Sequence, residues 1–549
     1  MPSARDLLVV ALSLVIYAIL RRLYFRVCRL PERAYRSRCI VGAACRRPAF
    51  AALGVATVAP VAMLARGVTW GSLEDGGLLR LVVATAAGVL AWTNATIEIN
   101  AYHGREHLLD RALVLILGAL VAVHPAFTPA FLIVMMPVWR QVTHPEAVAE
   151  AITDKLLVVD VVVAFVAFLQ VHVIVGAATW HYMVVAMGLV AMHYFHPGWS
   201  KVRLGPRPWS WVVGNRLSDL TMNAWVLGHL GFLPAPTVGR AGRLMRPLDV
   251  PIQCATLALE LAAIALLADR TLAIGLLLGF VVMHAAILAA SGLAFWKWSA
   301  LDLALVVFLL GAGPAVVGPL FSPPALAASI AIAVLGRLHS TPAPLGWFDS
   351  RLVETFRYEV VGADGRVYAL PNNFCAPYDQ AFSQGRFAYL YDRPALVATH
   401  GVIRARRGAI GALALRRLID RTGGDPRKID RLRRRYGVRR FDADRARRFD
   451  DFVRRYFGFI ARTGRRRTPF SWLPHPKHFW HWTRGEAYRM QAPAAALRVR
   501  YLAVFTEPGN IRVVEDRIVR EVEIPGQPVS CAPAAPSAIV PPTAEAPAA

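Results

Sequence analysis

Lys201 lies where a long apolar passage of the chain meets its first dense polar cluster. The cluster covers residues 193–205 and reads His-Tyr-Phe-His-Pro-Gly-Trp-Ser-Lys-Val-Arg-Leu-Gly. We predict that the Pro197-Gly198 step ends a helix here and turns the chain. Lys201 would then lie at a membrane surface, where an amine that is partly dry can lose its proton and act as a base near neutral pH.

The rarity of lysine makes this position informative. The chain contains 62 Lys and Arg residues together, of which five are lysines, at positions 155, 201, 297, 428 and 477. Arginine stays charged and cannot serve as a base, so a lysine among so many arginines indicates a need for an amine that can lose its proton. The alternative is a snorkelling lysine, whose apolar stem lies in lipid while its charge reaches water.

Polar side chains within or beside apolar stretches are the other candidates for chemistry, because they are expensive in a membrane and usually face the interior of a bundle. These residues are Asp160, His172, His193, His196, Glu260 and His284. Each has a structural alternative, such as an interhelical hydrogen bond for a histidine or an arginine-paired or protonated carboxyl for Glu260. His107 follows Glu106 at a predicted helix start, where both residues can serve as caps.

Two groups of residues indicate structure rather than catalysis. Trp199, Trp209 and Trp211 are typical of the aromatic belt of a membrane interface. A second group combines tryptophans with His475, His478 and His481, whose i, i+3, i+6 spacing suits a metal ion only in part. Because the six cysteines also contain no Cys-x-x-Cys pair, we predict neither a metal site nor a disulfide framework.

The composition is typical of a membrane protein. The 549 residues are 56% hydrophobic, and the mean hydropathy is +0.42. The formal net charge of +26 would favour nucleic acid as the partner of a soluble chain, but in a membrane protein it indicates cytoplasmic loops and contacts with lipid headgroups. We therefore predict a multi-pass protein of the cell membrane.

The apolar stretches predict about eight to ten membrane spans. They cover residues 6–20, 48–65, 78–96, 108–123, 126–139, 156–177, 182–194, 252–267, 272–293, 301–320 and 325–338, and 224–233 is a shorter, interfacial or re-entrant stretch. Residues 108–139 form either two short helices or one kinked helix. We predict that the first helix ends at Arg21-Arg22 and is retained rather than cleaved as a signal peptide, and that the arginine-rich loop up to Arg47 is cytoplasmic.

The composition changes near residue 342, where a soluble region is predicted to begin. Residues 356–370 alternate around Ala-Asp-Gly, which is typical of a β-hairpin. Residues 404–467 are helical and rich in arginine, and residues 497–524 return to strand-like alternation. The arginines favour acidic lipid or an acidic peptide as a partner, and we do not expect nucleic acid because no motif for it is present.

The predicted fold is thus a polytopic α-helical membrane bundle followed by a C-terminal α+β soluble domain. Its parts are N-terminal membrane helices with a basic cytoplasmic loop (1–77), a transmembrane domain (78–340), the soluble domain with its hairpin and arginine-rich helices (341–524), and a Pro/Ala-rich tail (525–549) that we predict to be disordered.

Three patches of sequence, at residues 107–125, 194–202 and 260–296, together resemble the HTTM (horizontally transferred transmembrane) family, which includes the vitamin K-dependent γ-carboxylase. His107-Leu-Leu-Asp with the later Pro125 is similar to an Asn-x-His-Tyr-Leu-type helix start, with Arg-Glu in place of the asparagine. Tyr194-Phe-His-Pro-Gly-Trp-Ser-Lys201-Val is similar to Tyr-Phe-x-x-Gly-x-x-Lys-Leu. Glu260, followed by Met-His284 and Phe-Trp296, resembles the Glu…Phe-His…Phe-Trp run. Asp364-Gly365 and the segment from Cys375 to Asp379 add to a resemblance that covers roughly residues 78–400.

The resemblance implies a chemistry. Lys201 would deprotonate a reduced, vitamin K-like quinone, which reacts with O2 to give a strong base that takes a proton from a glutamate side chain, and CO2 then adds. His107 and His284 would also be catalytic, with His107 positioning the quinone or stabilising a developing oxyanion. The remaining implied quinone-binding residues are His193, His196, Trp199 and Glu260.

Two functions of different class follow. The first is a lyase-like, quinone-dependent carboxylase or epoxidase that acts on a peptide or small-molecule substrate. The second is a non-enzymatic HTTM-type protein that binds membrane lipid or a quinone, or that acts in peptide export or immunity. Both remain open at this point, because members of one family differ in chemistry and a fold does not determine an activity.

Overall fold

A computed structural model shows a mostly helical protein with one small antiparallel sheet near its C-terminus. It describes residues 2–27, 30–64, 67–96, 105–140, 153–343, 345–375, 378–403, 410–464, 470, 472–483, 485–507 and 510–525. The tail from residue 526, which we predicted to be disordered, lies outside these residues.

The helices of the N-terminal and central parts are α1 (Ala4–Val27), α2 (Glu32–Tyr35), α3 (Ile40–Cys45), α4 (Pro48–Leu64), α5 (Gly76–Ala95), α6 (Leu108–Val123), α7 (Phe127–Arg140), α8 (Thr153–Val175), α9 (Thr179–Val202), α10 (Ser210–Gly214), α11 (Leu217–Val226), α12 (Ala235–Met245), α13 (Asp249–Ala262), α14 (Arg270–Ser291), α15 (Trp296–Gly311), α16 (Pro314–Leu320), α17 (Pro323–Val334) and α18 (Gly336–His339). The C-terminal part contains α19 (Asp379–Ser383), α20 (Ala412–Thr422), α21 (Pro426–Tyr436), α22 (Ala443–Thr463) and strands β1 (Leu352–Gly362), β2 (Val367–Ala369), β3 (Ala494–Glu507) and β4 (Asn510–Glu523). Residues 108–139 are therefore two helices, α6 and α7.

Five helices within the described ranges are long and apolar enough to cross a membrane. They are Ala4–Arg26, Gly76–Ala95, Lys155–Val175, Ala235–Ala265 and Arg270–Ser291, and a pair of helices bent by 115°, Trp296–Gly311 with Pro314–Leu320, adds a sixth if it counts as one span. Shorter apolar helices occur at Pro48–Val58, Phe127–Arg140 and Pro323–Val334. By length and composition the protein is thus a candidate multi-pass membrane protein, and its described residues contain fewer full-length spans than the eight to ten predicted from the sequence.

Helix α9 lies at the centre of the bundle. Nearly all of its residues from Thr179 to Tyr194 are buried, and it packs against α1, α8, α13 and α17. A helix that is surrounded on every side can carry polar groups only where a neighbour supplies their partners. The polar residues of α9 therefore mark the positions where neighbouring helices contribute polar side chains to the interior of the bundle.

The first helix is longer than predicted. Helix α1 continues past Arg21 to Val27, because the guanidinium of Arg21 is buried against the carboxylate of Asp160 rather than exposed at a membrane surface. The prediction that the helix ends at Arg21-Arg22 is therefore wrong. The helix can continue past Arg21 inside the bundle because an arginine that is paired with a carboxylate does not need water to stabilise its charge.

The sheet has the strand order β2-β1-β3-β4, and all neighbours are antiparallel. The hairpin predicted for residues 356–370 is present as β1 and β2, which pair Val361 with Val367. Gly365 has a φ of +78° in the connecting turn, a conformation that glycine adopts without steric cost. The predicted strands at 497–524 are present as β3 and β4.

The sheet packs directly on part of the helical bundle. Met222 and Leu230, in and just after α11, share a hydrophobic core with Val353 of β1 and Val504 of β3. Asn223 is fully buried and donates to the carbonyl oxygens of Ser350 and His400. The stretch 224–233, which we predicted to be interfacial or re-entrant, therefore lies against the sheet, because Asn223 and its apolar neighbours find their partners there.

The arginine-rich region contains three amphipathic helices, α20 to α22. Their buried faces carry residues such as Ile429 and Phe449, and their exposed faces carry most of the arginines. Several of these arginines pair with acids one turn away, as Arg434 does with Asp430. Residues 404–409 and 465–467 of the predicted helical region lie outside the described ranges.

Candidate functional site: a buried lysine–glutamate pair and its surroundings

Lys201 is buried and paired with Glu260. The Lys201 Nζ lies 2.5 Å from Glu260 Oε1 and 2.7 Å from Oε2. The two side chains are 9% and 8% exposed, which excludes a snorkelling lysine that extends into water. The ring of Trp211 completes the surroundings of the amine, with its centroid 5.2 Å from Nζ.

Helix α9 brings Lys201 to Glu260 by continuing through the Pro-Gly step. Pro197 lies inside the helix, which ends at Val202, so the prediction that the helix ends at Pro197-Gly198 is wrong. A proline removes one hydrogen bond from a helix, and the packing of the bundle compensates for this loss here. Gly198 has a packing role, because a Cβ at this position would lie 2.9 Å from the Cβ of Glu260 and 3.3 Å from the backbone nitrogen of Leu261.

A second acid, on helix α15, contacts α9 two turns before Lys201. The hydroxyl of Tyr194 donates to Oδ2 of Asp302 at 2.6 Å, and Asp302 is fully buried in α15. The ring of Tyr194 stacks on Phe280 with centroids 3.6 Å apart. The Oδ1 of Asp302 has no hydrogen-bond partner among the described residues. This acid was not a candidate in the sequence, where it stands alone in an apolar stretch.

His284 belongs to the aromatic group around Tyr194. Its ring lies 5.7 Å from the ring of Tyr194 and stacks on Phe295 at 5.1 Å. Its Nδ1 is 3.3 Å from the hydroxyl of Ser299. The structure thus places His284 on the same side of α9 as Asp302, one aromatic layer from Tyr194, as part of one continuous polar and aromatic assembly.

His193 belongs to a different buried network. Its Nε2 lies 3.0 Å from Oδ2 of Asp160, a carboxylate that also accepts from Arg21 Nε at 2.6 Å and from Ser340 Oγ at 2.9 Å. With Arg21 on α1, Asp160 on α8 and His193 on α9, the network ties three helices together. This arrangement favours a structural role for His193 over contact with a quinone.

His196 and Trp199 lie close together on α9, but His196 is buried and Trp199 is exposed. His196 is buried close to Gly336, where an added Cβ would lie 3.0 Å from its Nε2. Trp199 is 43% exposed and stacks on Phe195 with ring centroids 6.1 Å apart. Trp199 thus lies on the surface of the bundle, as an aromatic belt requires, and not inside a closed pocket.

His107 lies apart from Lys201. It occupies the N-cap position of α6 with a left-handed φ of +51°, but its side chain forms no capping hydrogen bond, and its Nδ1 lies 3.5 Å from Oδ2 of Asp110. Asp110 in turn accepts from the backbone nitrogens of Ile40 and Val41. No contact of His107 with Lys201 or His284 occurs in the part of the chain that the structure describes, so its geometry favours a local role beside Asp110.

A segment near the C-terminus lies over one end of the bundle. His478 Nδ1 lies 3.0 Å from the carbonyl oxygen of Ala294, and the ring of His478 lies 5.5 Å from Phe295, which stacks on His284. Further along, the backbone nitrogen of Trp482 donates to the carbonyl oxygen of Gly228. The His/Trp segment is therefore a strap that joins the sheet region to the bundle, and none of the described residues forms a cluster suited to a metal ion.

Three histidines meet where the strap, the sheet region and the bundle join; we call His229, His400 and His481 the junction histidines. The rings of His229 and His400 are nearly parallel with centroids 5.3 Å apart, and His481 lies 6.2 Å from His229. Burial lowers the pKa of His229 to about 4 and the pKa of His400 and of His481 to about 3. All three are therefore neutral at physiological pH. Nearby, burial raises the pKa of Asp349 to about 6. A lower pH therefore favours the buried, protonated carboxyl of Asp349 and disfavours the buried, neutral histidines.

The arrangement around Lys201 can hold and transfer a proton. A lysine and a glutamate in a low-dielectric environment share one proton, either as an ion pair or as a neutral amine beside a protonated carboxyl. In the second form the amine can accept a proton from a ligand. Of the predicted site residues, the structure brings Lys201, Glu260 and the His284 assembly to the same part of α9, and it places His193 and His107 in separate networks.

Comparison with known proteins found no protein-family model, no curated protein and no solved structure that matches this chain. The assignment of a function therefore depends on the site itself and on the motifs of the sequence.

Proposed function

We propose that the protein is an integral, multi-pass protein of the cell membrane. Five long apolar helices, a bent helix pair and three shorter apolar helices support this proposal. The predicted eight to ten spans require that some of the shorter helices cross the bilayer together with α9. If the proposal is right, the protein stays in the membrane pellet after extraction with alkaline carbonate, and its release into the supernatant would contradict it.

We propose further that the Lys201–Glu260 pair is an acid–base centre that takes a proton from a lipid-soluble substrate. The observation that carries this proposal is the amine held within 2.7 Å of both carboxylate oxygens by side chains that are less than one tenth exposed. Because Arg supplies almost every other cation of the chain, an ion pair with a purely structural role would not need a lysine.

The residue types around the pair support a reduced quinone as the proposed substrate. Such a molecule has a flat aromatic ring with two hydroxyl groups, so its site needs a proton acceptor, a second polar group and aromatic neighbours. The Lys201–Glu260 pair supplies the acceptor and Trp211 an aromatic face beside it. Asp302, which meets α9 two turns earlier at Tyr194 and has an unpartnered buried oxygen among the described residues, would supply a second polar group.

The resemblance to the vitamin K-dependent γ-carboxylase suggests the overall reaction. When bound, a reduced quinone supplies, with O2, the basicity that removes a proton from a glutamate-like side chain, to which CO2 adds. The chain's own part is narrower. Glu260 holds the proton that leaves the ammonium group, the neutral amine of Lys201 accepts the hydroxyl proton of the quinone, and the surrounding aromatic side chains exclude water.

The substitution Lys201→Arg separates catalysis from structure. Arginine keeps a positive charge beside Glu260 but cannot lose its proton, so a structural ion pair tolerates the change and an acid–base centre does not. With purified protein and a reduced naphthoquinone, we expect oxygen-dependent formation of quinone epoxide by the natural protein. We expect Lys201→Arg to lower the rate about 100-fold to 10,000-fold, the usual contribution of a general base.

Lys428→Arg provides the matched control, because Lys428 is exposed on α21. It should leave the rate unchanged. Full activity of the Lys201→Arg protein would exclude the acid–base role.

The second candidate is a non-enzymatic membrane protein that binds lipid or a quinone. A specific observation favours it: both oxygens of Glu260 already contact the amine, as they also would in a purely structural ion pair. Binding of a naphthoquinone without any oxygen-dependent turnover, and with equal affinity in Lys201→Arg, would support this candidate over the enzyme.

A further inference from the structure

The loop between α9 and α10 exposes two arginines and two tryptophans directly after the buried Lys201. Arg203 and Arg207 are exposed, and Trp199 and Trp209 are 43% and 54% exposed. Neither guanidinium forms a salt bridge or a side-chain hydrogen bond with a described residue. Their charges are therefore available to a partner outside the chain.

The sequence around the loop contains no acid that could neutralise these arginines. Between Asp160 and Asp219 the chain has no Asp or Glu residue. This contrasts with helices α21 and α22, where exposed arginines pair with acids one turn away, as in Arg447 with Asp444. The loop is thus an exposed cationic surface that lacks the local ion pairs found elsewhere in this chain.

This inference rests on the proposed membrane insertion, in which α9 crosses the bilayer and its 24 residues bring the loop to one edge. The helix begins at Thr179, whose hydroxyl donates to the carbonyl oxygen of Glu74 in the loop before α5. A hydrocarbon layer of about 30 Å corresponds to about 20 residues of helix. Counted from Thr179, the opposite boundary falls near Trp199, so Arg203 and Arg207 follow at the depth of the lipid headgroups.

The shape of the loop keeps these side chains on the surface. The backbone nitrogen of Arg207 donates to Ser210 Oγ at 2.9 Å, which closes a tight turn. An added Cβ at Gly205 would lie 2.3 Å from the Cβ of Ser210, so this turn requires glycine. Trp211, after the turn, points inward and donates to the carbonyl oxygen of Trp347. The turn therefore separates the inward Trp211 from the outward Trp209 and Arg207.

The same end of the bundle carries further exposed cations. Arg337 is exposed beside Leu338, which is 66% exposed, and Arg22 donates to the carbonyl oxygen of Leu338. Exposed apolar side chains next to arginines are typical of a helix end in the headgroup layer, where the stem lies in lipid and the charge meets phosphate. By the positive-inside rule this end faces the cytoplasm, where anionic lipids are enriched.

We propose that the α9–α10 loop is a binding site for the headgroups of anionic phospholipids, with Arg203 and Arg207 on the phosphate and Trp199 and Trp209 at the boundary with the acyl chains. The partner is a lipid rather than a soluble acidic molecule because the cations stand between two exposed tryptophans. Aromatic side chains at such positions contribute at a membrane interface and add little to binding in water. The proposal is independent of any quinone chemistry at Lys201.

Native mass spectrometry of the purified full-length protein in a neutral detergent tests the proposal. Dioleoyl-phosphatidylglycerol and dioleoyl-phosphatidylcholine are titrated separately, at low and at high NaCl. We expect the anionic lipid to bind more tightly, and we expect salt to weaken its binding. Arg203→Gln with Arg207→Gln should weaken it about 25-fold, from a contribution of about 5-fold for each arginine near a membrane surface.

Two further variants make the result specific. Arg203→Lys with Arg207→Lys keeps the charge and should retain most of the binding, which also shows that the loop still folds. Arg427→Gln with Arg431→Gln removes the same charge from the exposed face of α21 and should leave lipid binding unchanged.

Three results would overturn the proposal. One is undiminished binding of phosphatidylglycerol by the Arg203→Gln, Arg207→Gln protein. A second is an equal loss in the α21 variant, which would indicate a diffuse effect of net charge. A third is a loop-dependent binding of an acidic peptide or an oligonucleotide without any preference for anionic lipid.

Discussion

The Lys201–Glu260 pair should show a strong energetic coupling that can be measured without any assay of activity. Lys201→Met removes the amine and leaves the carboxyl of Glu260 inside the bundle without its partner. Both side chains are less than one tenth exposed, so water cannot replace the lost interaction. Removal of one member of a buried ion pair typically destabilises a protein by about 3–5 kcal/mol. We expect a loss of this size for Lys201→Met and a similar loss for Glu260→Met.

The double variant is the decisive measurement. Replacement of both charges by methionine leaves no uncompensated polar group, and such replacements are often neutral or stabilising by about 1–4 kcal/mol. The Lys201→Met, Glu260→Met protein should therefore unfold at about the same point as the natural protein, or later. Unfolding can be followed by tryptophan fluorescence during titration with SDS in mixed micelles, because Trp211 lies 5.2 Å from the Lys201 amine.

The result that would refute this reasoning is additivity. If the double variant loses the sum of the two single losses, the two groups do not stabilise each other and the buried pair is not the unit that we describe. The activity of the double variant should also be measured. A stable but inactive protein would separate the catalytic role of the pair from its role in folding.

Three further predictions concern the surroundings of the site. Asp160→Asn should lower the stability by about 3–5 kcal/mol because it leaves a buried arginine without a counterion, whereas Asp444→Asn in an exposed pair should not shift the unfolding temperature. Gly198→Ala should destabilise the protein by about 1–3 kcal/mol and reduce activity, because the added methyl group pushes α13 away. Gly275→Ala on α14, where the added methyl group meets open space, should stabilise the protein slightly. An equal change in stability for both variants would contradict the packing argument. The junction histidines, with pKa values of about 3 to 4 in the folded protein, take up protons near pH 6.5 in the unfolded chain, so the unfolding temperature should fall as the pH is lowered from 6.5 towards 4. His481→Gln should make this dependence shallower, and an unchanged slope would exclude the histidines as its source.

Local patterns predicted the elements of this fold well because they depend on near neighbours in the chain. Long apolar runs predicted the helices that could cross a membrane. The Ala-Asp-Gly turn at residues 363–365 predicted the hairpin of β1 and β2. A glycine that must adopt a positive φ and a run of alternating side chains impose the same local geometry in any context. Lys201 was also singled out in the sequence, from the scarcity of lysine, and the structure shows that it is buried and paired.

Local patterns misjudged the positions where a distant partner changes the local preference. Pro197 was expected to end its helix, yet α9 continues to Val202 because the surrounding helices hold it. Arg21 was expected to mark a membrane surface, yet a carboxylate 139 residues away holds it inside the bundle. The stretch 224–233 was predicted to be interfacial or re-entrant from its length and apolar residues, and the sequence did not indicate that it packs on the sheet.

By itself, then, the sequence determined which segments are apolar helices, where the hairpin turns, and which residue types are capable of proton transfer. The tertiary structure alone decided which of them come together: it paired Lys201 with Glu260 across 59 residues, joined Tyr194 to Asp302 across 108, and left His107 beside Asp110. The physical reason is that a buried charge is stable only beside a partner, and in a bundle that partner is chosen by the packing of helices rather than by distance along the chain.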